Sequence, residues 1–478
     1  MHFRYLLLLL LCLVPRALAE GLPDLGDSAQ SGFSAQEERR LGEEIMREIR
    51  VDRSYYEDAE ATDYVNALGN RLVSRGADSR QDFEFFLIQE RSINAFALPG
   101  GFVGVNTGLL LAAQSESEVA SVMAHEIAHV TQRHIARIIA QQKQSTVMSV
   151  AALALAILAA RSNPEVASAA IGFGTAASVQ NLINFTRDHE READRVGLQI
   201  LDSAGFDARS AAVFFERLQR ATRIYEVGGA PAYLRTHPLT YERIADIQNR
   251  LERLSYRQVQ DSMDFQLVRA KVRAELDPAG EARAFFEQSL AERRFLNEAA
   301  SRYGLAVSLV RLKDYARARK EHEALRRITG PHPMVENLGC RIRAAAGEAE
   351  SALNCYRDAL RAFPQHRALT YEYADLLLQA RRAEPALDVI GRRMQLFSDD
   401  PKLYLLQGRA YALQGKRFSQ HRSTGEAYAK MGNVRAAIEQ MQIALRSGDG
   451  DFYQLSAAEA RLKELRKVDE AQRREQKR

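Results

Sequence analysis

Small residues recur at a fixed spacing of 34 residues through the C-terminal half of the chain. Two series, twelve residues apart, share this period: Ala284, Ala318, Ala352 and Ala386, and Ala306, Cys340, Ala374 and Gly408. A unit of this length holds two helices and a turn, and small side chains suit the points where two helices cross. Because each unit must cover the apolar face of its neighbours, the period predicts a stack of helical hairpins.

The 34-residue helical hairpin is the tetratricopeptide repeat, and we expect a domain of such repeats over residues 261–478. Pro364 fits the proline that ends this repeat. The phase then breaks, since Gln420 occupies the next position expected to be small, and a further unit restarts at Gly425 and Ala437. The period therefore leaves the number of repeats open.

The first 19 residues are typical of a cleaved export signal. Arg4 precedes a run of leucines, and a small-x-small triplet ends at Ala19. The apolar run from residue 5 to residue 14 is about half of the ~20 residues that a membrane-spanning helix needs. We therefore expect export, with cleavage after Ala19.

Composition narrows the class of protein. Of the 478 residues, 46% are hydrophobic and 27% are charged, which is typical of folded domains and not of disordered chains. Removal of residues 1–19 takes away Arg4 and Arg16 and no acid, which lowers the formal charge from +4 to +2. This near-neutral balance argues against nucleic acid as a partner.

Two cysteines, Cys340 and Cys355, remain after the predicted cleavage. In an exported chain they permit one disulfide, and their spacing places them in adjacent helices of one repeat. Two free buried thiols are the alternative.

Residues 20–260 are predicted to form helices around a small sheet. Two capping boxes mark helix starts, one made by Ser34 and Glu37 and the other by Ser115 and Glu118. The fold class expected for the whole chain is mainly α. It comprises a helical domain with a small β-sheet, followed by an α-solenoid of tetratricopeptide repeats.

The stretch "VMAHEIAHVTQRH" (122–134) places His125 and His129 four residues apart, on one face of a predicted helix. Their ring nitrogens can share one metal ion, and zinc accepts neutral imidazole and carboxylate ligands. Glu126 stands beside them, where a carboxylate can take the proton of a water that attacks a carbonyl. His134 would face away from His129 on a continuous helix, so a surface position is expected for it.

A second predicted helix, "RDHEREADRVGLQILDSAGFD" (187–207), places Glu190 and Asp194 on one face. Glu190 can complete a set of metal ligands, and Asp194 can accept a hydrogen bond from the second ring nitrogen of a ligand histidine. His189 points about 100° away from Glu190 and is left out of this set. The alternative is a solvated face whose acids pair with the arginines at positions 187, 191 and 195.

The motifs "HEIAH" and "EREAD" together resemble the gluzincin metallopeptidases, the family that includes the CAAX prenyl endopeptidases and the heat-shock membrane protease. The segments "NAFALPGG" (94–101) and "THPLTYERI" (236–244) strengthen the resemblance, which covers nearly the whole mature chain. It implies one zinc ion (Zn2+) per chain on His125, His129 and Glu190, with Glu126 as general base, Asp194 as the residue that orients a ligand, His237 near the metal and Arg243 downstream of it.

Among these peptidases the chain is most similar to the periplasmic members with C-terminal repeats. This similarity implies a periplasmic zinc endopeptidase, with a chaperone-like role, that degrades misassembled outer-membrane proteins and supports their assembly. Its expected partners are unfolded or misassembled outer-membrane proteins and, through the repeats, the outer-membrane barrel assembly machinery, with peripheral membrane contact and no nucleic acid. The alternative is a non-proteolytic repeat scaffold or chaperone with a latent or vestigial metal site.

Two residues near the expected metal leave alternatives open. His237 precedes Pro238, so its backbone is biased to an extended turn. It could stabilise the oxyanion, occupy the open metal position and hold the enzyme latent, or be a surface turn histidine. Arg243 could simply pair with Glu242 or Asp246.

Two further segments have expected roles. Residues 83–90 and 94–101 are predicted strands, the second followed by a tight turn, and a strand beside a peptidase cleft can pair with an extended substrate. An internal strand is the alternative. The hydrophobic insertion 140–186 contains two uncharged pieces, 146–160 and 166–186. The first reaches about 22 Å as a helix, so we expect a helical hairpin that acts as a lid or lies on a membrane surface, with core helices as the alternative.

Overall fold

The computed structural model of the chain describes residues 33–76, 81–141, 187–224, 233–234, 237–238 and 240–475. The predicted export signal and the two uncharged pieces of the insertion lie outside these ranges. Among the helices that are described, none is both long enough and apolar enough to cross a bilayer.

The described part of the first half contains helices and three short strands. In chain order they are α1 (Ala35–Val51), α2 (Ala59–Val73), β1 (Glu84–Ile88), β2 (Ala95–Leu98), β3 (Phe102–Asn106), α3 (Thr107–Ala112), α4 (Glu116–Thr131), α5 (His134–Gln141), α6 (Arg187–Ser203), α7 (Arg209–Ile224) and α8 (Tyr241–Leu251).

The second half is helical throughout its described length. Its helices are α9 (Met263–Leu276), α10 (Ala279–Ala291), α11 (Glu298–Arg311), α12 (Tyr315–Thr329), α13 (Pro333–Ala345), α14 (Ala349–Ala362), α15 (Arg367–Gln379), α16 (Ala383–Leu396), α17 (Pro401–Leu413), α18 (Arg417–Lys430), α19 (Val434–Leu445) and α20 (Phe452–Glu475). The expected fold class, mainly α with a small sheet and a helical solenoid, is confirmed.

Both predicted caps are present, but only one is a full capping box. The Ser34 hydroxyl accepts a hydrogen bond from the Glu37 amide at 3.2 Å, and the Glu37 carboxylate accepts one from the Ser34 amide at 2.8 Å. At the start of α4, Ser115 caps the amide of Glu118. The Glu118 carboxylate instead pairs with Arg217 at 2.6 Å, so the second box is half formed.

The three strands form one sheet in the order β1, β3, β2. β1 runs parallel to β3, and β2 runs antiparallel to β3 and lies at an edge of this sheet. Gly100 and Gly101 adopt φ values of 78° and 92° between β2 and β3, a conformation that strains other residues and allows the tight turn predicted from the sequence. Among the residues that the structure describes, the "NAFALPGG" strand therefore pairs on one side only.

The helical period of the repeats corresponds to real crossings. Seven of the eight small positions in the two series are buried. Ala284 is exposed, and Ala282 takes the buried position in its hairpin. Across the phase break, α18 packs against both α17 and α19. A Cβ on Gly408 would lie 2.9 Å from Thr424, and one on Gly425 would lie 3.1 Å from Met441.

A disulfide joins Cys340 of α13 to Cys355 of α14. Their Cα atoms are 5.4 Å apart, within the usual range for a bridge. Of the two alternatives that the sequence leaves open, the bridge is the one observed.

The repeats pack directly against the first half of the chain. One hydrophobic core runs from α2 and the sheet through α4 to α9, α11 and α13. Lys271 of α9 is buried in this contact against Asp58 and Glu60 at the start of α2. The repeats therefore contact α2 directly, and α2 in turn packs against α4.

Candidate metal centre

Helix α4 carries three of the predicted site residues into the protein interior. His125, Glu126 and His129 are 3%, 0% and 1% exposed. The Nε2 atoms of the two histidines lie 3.0 Å apart, as the spacing of four residues on a helix predicts. Both rings therefore aim their outer nitrogens at one point beside Glu126.

Helix α6 brings a carboxylate to the same point. The two oxygens of Glu190 lie 3.4 Å from His129 Nε2 and 3.5 Å from His125 Nε2. The close approach of the helices depends on Gly197, since a Cβ there would lie 3.1 Å from the Cα of His125. Among described residues, Arg191 pairs with Asp188 and Glu242 rather than with Glu190. The site residues predicted on two distant helices are thus together.

Asp194 lies behind His125. Its Oδ1 is 3.1 Å from His125 Nδ1, on the side of the ring opposite Glu190. A carboxylate can only accept here, so in the neutral ring this contact favours the proton on Nδ1 and leaves a lone pair on Nε2 for a metal ion. The position is the one that the sequence predicts for a residue orienting this ring.

His237 lies inside the cluster and not at the surface. It is 2% exposed, and its Nδ1 is 2.9 Å from a Glu190 oxygen while its Nε2 is 3.4 Å from a Glu126 oxygen. With His125, His129 and Glu190 it forms a group whose ligand atoms all lie within 4.8 Å of one another. The alternative of a surface turn histidine is therefore wrong.

Arg243 connects the turn after His237 to the acids of α6. It makes a two-pronged hydrogen bond to Asp194, at 2.7 and 2.8 Å, and lies 2.7 Å from a Glu190 oxygen. It also donates to the backbone oxygen of Pro238 at 2.9 Å. The alternative pairing with Glu242 or Asp246 is not observed, since those acids pair with Arg191 and Arg250.

The donor set fits a divalent cation. The carboxylates of Glu126, Glu190 and Asp194 are all buried, and Arg243 pairs with the last two of them. Neither oxygen of Glu126 makes a well-formed hydrogen bond to a described residue. Two imidazole nitrogens and a carboxylate around one point are the ligands that zinc prefers.

Burial and the neighbouring charges shift the protonation of these groups in opposite directions. Burial raises the pKa of Glu126, although His237 and His125 oppose this, and burial lowers the pKa of His129 well below its usual value. Burial also disfavours protonated His125, but the hydrogen bonds to Asp194 and Glu190 outweigh it and raise the pKa of His125 to about 10. A cation bound here would displace that proton.

Comparison with known proteins agrees with this geometry. The family model described as "Peptidase family M48" matches residues 59–251. The chain is also 32% identical over 453 residues to the beta-barrel assembly-enhancing protease of Escherichia coli (strain K12), a match that covers 95% of this chain and 92% of that protein. The chain belongs to peptidase family M48.

Other relatives support the same assignment. The beta-barrel assembly-enhancing protease of Yersinia pestis is 30% identical over 458 residues, which cover 95% of this chain and 94% of that protein. The mitochondrial metalloendopeptidase OMA1 of Schizosaccharomyces pombe is 31% identical over 215 residues, which cover 44% of this chain and 60% of that protein. As an M48 peptidase the chain is a metalloendopeptidase, and the resemblance inferred from "HEIAH" and "EREAD" is confirmed.

The position expected for His134 in this M48 peptidase is wrong. Helix α4 ends at Thr131, and Arg133 adopts φ 52°, so the chain bends before α5 begins at His134. His134 is 0% exposed, and its Nδ1 lies 2.9 Å from Nδ1 of His129. Helical spacing could not find this contact, because it assumes a continuous helix.

Strand β2 lies next to the predicted base of the M48 site. It packs against α4, and the backbone amide of Ala97 is among the groups that favour the ionised form of Glu126. Strand β2 therefore borders the cluster on the side of Glu126.

Proposed function

We propose that this M48 metalloendopeptidase is a zinc endopeptidase of the bacterial periplasm that cleaves unfolded or misassembled outer-membrane proteins and supports their assembly. One observation carries the catalytic part. Buried His125, His129 and Glu190 converge beside a buried Glu126 whose oxygens have no well-formed hydrogen bond to a described residue. The substrate class and the location rest on relatives whose names are beta-barrel assembly-enhancing protease.

His125, His129 and Glu190 would hold one zinc ion per chain. Zinc supplies Lewis acidity, which polarises a peptide carbonyl and makes a water molecule more acidic. Asp194 fixes the proton of His125 on Nδ1, and Arg243 holds Asp194 and Glu190 in place from the far side. These two residues therefore set the orientation of the ligands without touching substrate.

Glu126 would act as general base and then as general acid. It accepts a proton from the water whose oxygen attacks the peptide carbonyl carbon, and it gives that proton to the departing amine as the C–N bond breaks. Burial raises its pKa, which brings the carboxylate nearer to the pH at which it must both accept and donate. Its 0% exposure also limits competition from bulk water.

The sheet edge supports unfolded chains as substrates. Strand β2 is an edge strand among the described residues, so it can pair with the backbone of an extended chain, and such pairing is tolerant of side-chain sequence. A folded protein cannot present an extended segment there. This selects misassembled proteins from folded ones by conformation.

We propose that the chain is divided into three parts. These are an export signal at 1–19, a peptidase domain at 20–260 and a repeat domain at 261–478. The repeats, as a stack of helical hairpins, offer a long surface suited to recruitment of substrates or of the barrel assembly machinery. Peripheral contact of the 140–186 insertion with the outer membrane stays a prediction, as does the absence of nucleic acid partners.

The proposed function is tested on the mature chain purified from a periplasmic extract. We expect one zinc ion per chain by elemental analysis and cleavage of an outer-membrane barrel protein diluted from urea. The same barrel protein, folded in detergent micelles, is the control and should remain intact. A metal content well below one per chain, or equal cleavage of both forms, would contradict the proposal.

His237 is proposed to hold the site latent. Its Nδ1 and Nε2 lie against Glu190 and Glu126, so it occupies the space in which a substrate carbonyl would have to bind. We expect His237→Ala to raise the cleavage rate of an unfolded substrate by about tenfold, because the competent fraction of the enzyme rises.

The control for this variant is Glu242→Ala, which removes an exposed carboxylate on the following helix and should leave the rate unchanged. Zinc content is measured for both variants, so that a rate change is not confused with loss of metal. A fall in rate with full zinc would assign His237 to oxyanion stabilisation. No change would remove it from the mechanism.

A further inference from the structure

A chain of polar contacts leads from His129 to the protein surface. His129 Nδ1 lies 2.9 Å from His134 Nδ1, and His134 Nε2 lies 3.1 Å from an oxygen of Glu192. Arg137 donates to the same Glu192 oxygen at 2.8 Å. His134 is 0% exposed, whereas the Glu192 side chain is 26% exposed. The predicted metal ligand is thus connected to a carboxylate through a second imidazole.

The donors and acceptors along this chain can be arranged in only one way that suits a metal. An ionised carboxylate only accepts, so the proton of His134 is on Nε2, facing Glu192. A neutral imidazole has one N–H, which leaves His134 Nδ1 as an acceptor. The proton between the two Nδ1 atoms must therefore belong to His129. His129 Nε2 then keeps its lone pair and faces Glu190 and His125.

The contacts of Glu192 agree with this assignment. Arg137 donates to the same Glu192 oxygen that faces His134 Nε2, so this oxygen is an acceptor for both residues. The opposite arrangement, with a proton on His134 Nδ1, would force the His129 proton onto Nε2 and block metal binding.

Several fixed contacts hold His134 where it is. The bend at Arg133 is anchored by hydrogen bonds from its side chain to Phe33 O at 2.7 Å and to Glu38 at 3.3 Å. The ring of His189 stacks on that of His134, with centroids 4.5 Å apart. The position of His134 is therefore set by the fold and does not depend on exposed side chains alone.

We infer that His134 and Glu192 are positioning residues that fix the Nδ1–H tautomer and the orientation of His129 and so set the affinity of the site for its metal. The inference rests on the proposed zinc site. It gives His129 the support that Asp194 gives His125 directly. Residues that support metal-binding histidines in this way typically contribute 10- to 100-fold in metal affinity.

The test is the dissociation constant for zinc of the full mature chain, measured by competition with a chelator of known affinity. We expect His134→Phe, which keeps a ring but removes both nitrogens, to weaken zinc binding by about 10- to 100-fold. Glu192→Met, at a partly exposed position, should weaken it by about tenfold. His134→Gln can accept from His129 and donate to Glu192, so it should stay within about threefold of the unchanged protein.

The matched control is His322→Phe, which alters another buried histidine, 5% exposed, in the repeats. It is expected to lower the unfolding midpoint without changing zinc affinity. Two results would overturn this inference but not the proposed function. One is a zinc affinity that changes in parallel with the unfolding midpoint in all variants. The other is an unchanged zinc affinity in His134→Phe and Glu192→Met. An unchanged protein that binds no zinc would overturn the proposed function as well.

Discussion

Replacement of Glu126 by Gln is expected to lower the cleavage of an unfolded protein by about 10³-fold, within the range that a general base contributes, while the zinc content stays at one per chain. The amide has nearly the same shape as the carboxylate but cannot take a proton from water. Glu126 lies beside the predicted ligands and is not among the group of four whose ligand atoms converge, so the metal should remain. The measurement combines a single-turnover cleavage assay with elemental analysis of the same sample.

The matched control is Glu242→Gln, which makes the same chemical change at an exposed position on α8. It should cleave at the normal rate. Undiminished cleavage by Glu126→Gln would refute the assigned base, and loss of zinc together with activity would leave the base unproven and show a ligand instead. The inactive variant also separates a peptidase role of this chain from a scaffold role. If it still restores outer-membrane protein assembly in cells, the repeats act as a scaffold beside the peptidase.

The parts of the site that follow local rules could be predicted from the sequence. His125, His129 and Glu126 lie within one turn of one helix, so their mutual position follows from helical geometry. Glu190 and Asp194 share a face of another helix for the same reason. The approach of these two helices to each other could be predicted only from the family resemblance. In the structure, Gly197 allows it, because this residue has no Cβ to separate the helices.

The parts that depend on an irregular backbone could not be predicted. His134 contacts His129 because Arg133 adopts a φ of 52°. Arginine rarely adopts a positive φ, so the sequence does not predict this bend. The repeats show the same limit. Their period predicted seven of eight buried small positions, but the burial of Ala282 in place of Ala284 depends on how α10 packs and not on the spacing.

Contacts between distant segments were the least predictable. Lys271 lies in an ordinary repeat helix by sequence, yet it is 2% exposed and pairs with Asp58 at 2.5 Å and Glu60 at 2.6 Å. Asn337 of α13 donates to the other oxygen of Glu60 at 3.0 Å, and Arg367 of α15 pairs with Asp63 at 2.6 Å. Three repeat helices thus contact the acidic start of α2 through polar side chains. The 34-residue period does not identify these side chains.

Lys271→Met is expected to destabilise the chain by about 3–5 kcal/mol, because it leaves the buried carboxylate of Glu60 and the half-buried one of Asp58 without their cation. Burial opposes ionisation of Asp58, but Lys271 and the Ala61 amide outweigh it and hold the pKa of Asp58 below its usual value. This pair therefore stabilises the fold at neutral pH and loses its contribution as the pH falls through the pKa of Asp58. In the variant Asp58 loses this cation and its pKa should rise, so the difference in stability from the unchanged protein should shrink between pH 7.5 and pH 4.

The measurement is the midpoint of guanidinium-induced unfolding at both pH values, followed by circular dichroism. Two comparisons separate a buried charge from a general loss of packing. Arg319→Met removes an exposed ion pair with Glu348 and should cost no more than about 1 kcal/mol. The double variant Lys271→Met/Glu60→Gln removes one of the stranded charges and should recover part of the loss. Equal destabilisation at both pH values, with no recovery in the double variant, would mean that Lys271 acts through packing alone. The contact between the repeats and α2, which packs against α4, would then not be electrostatic.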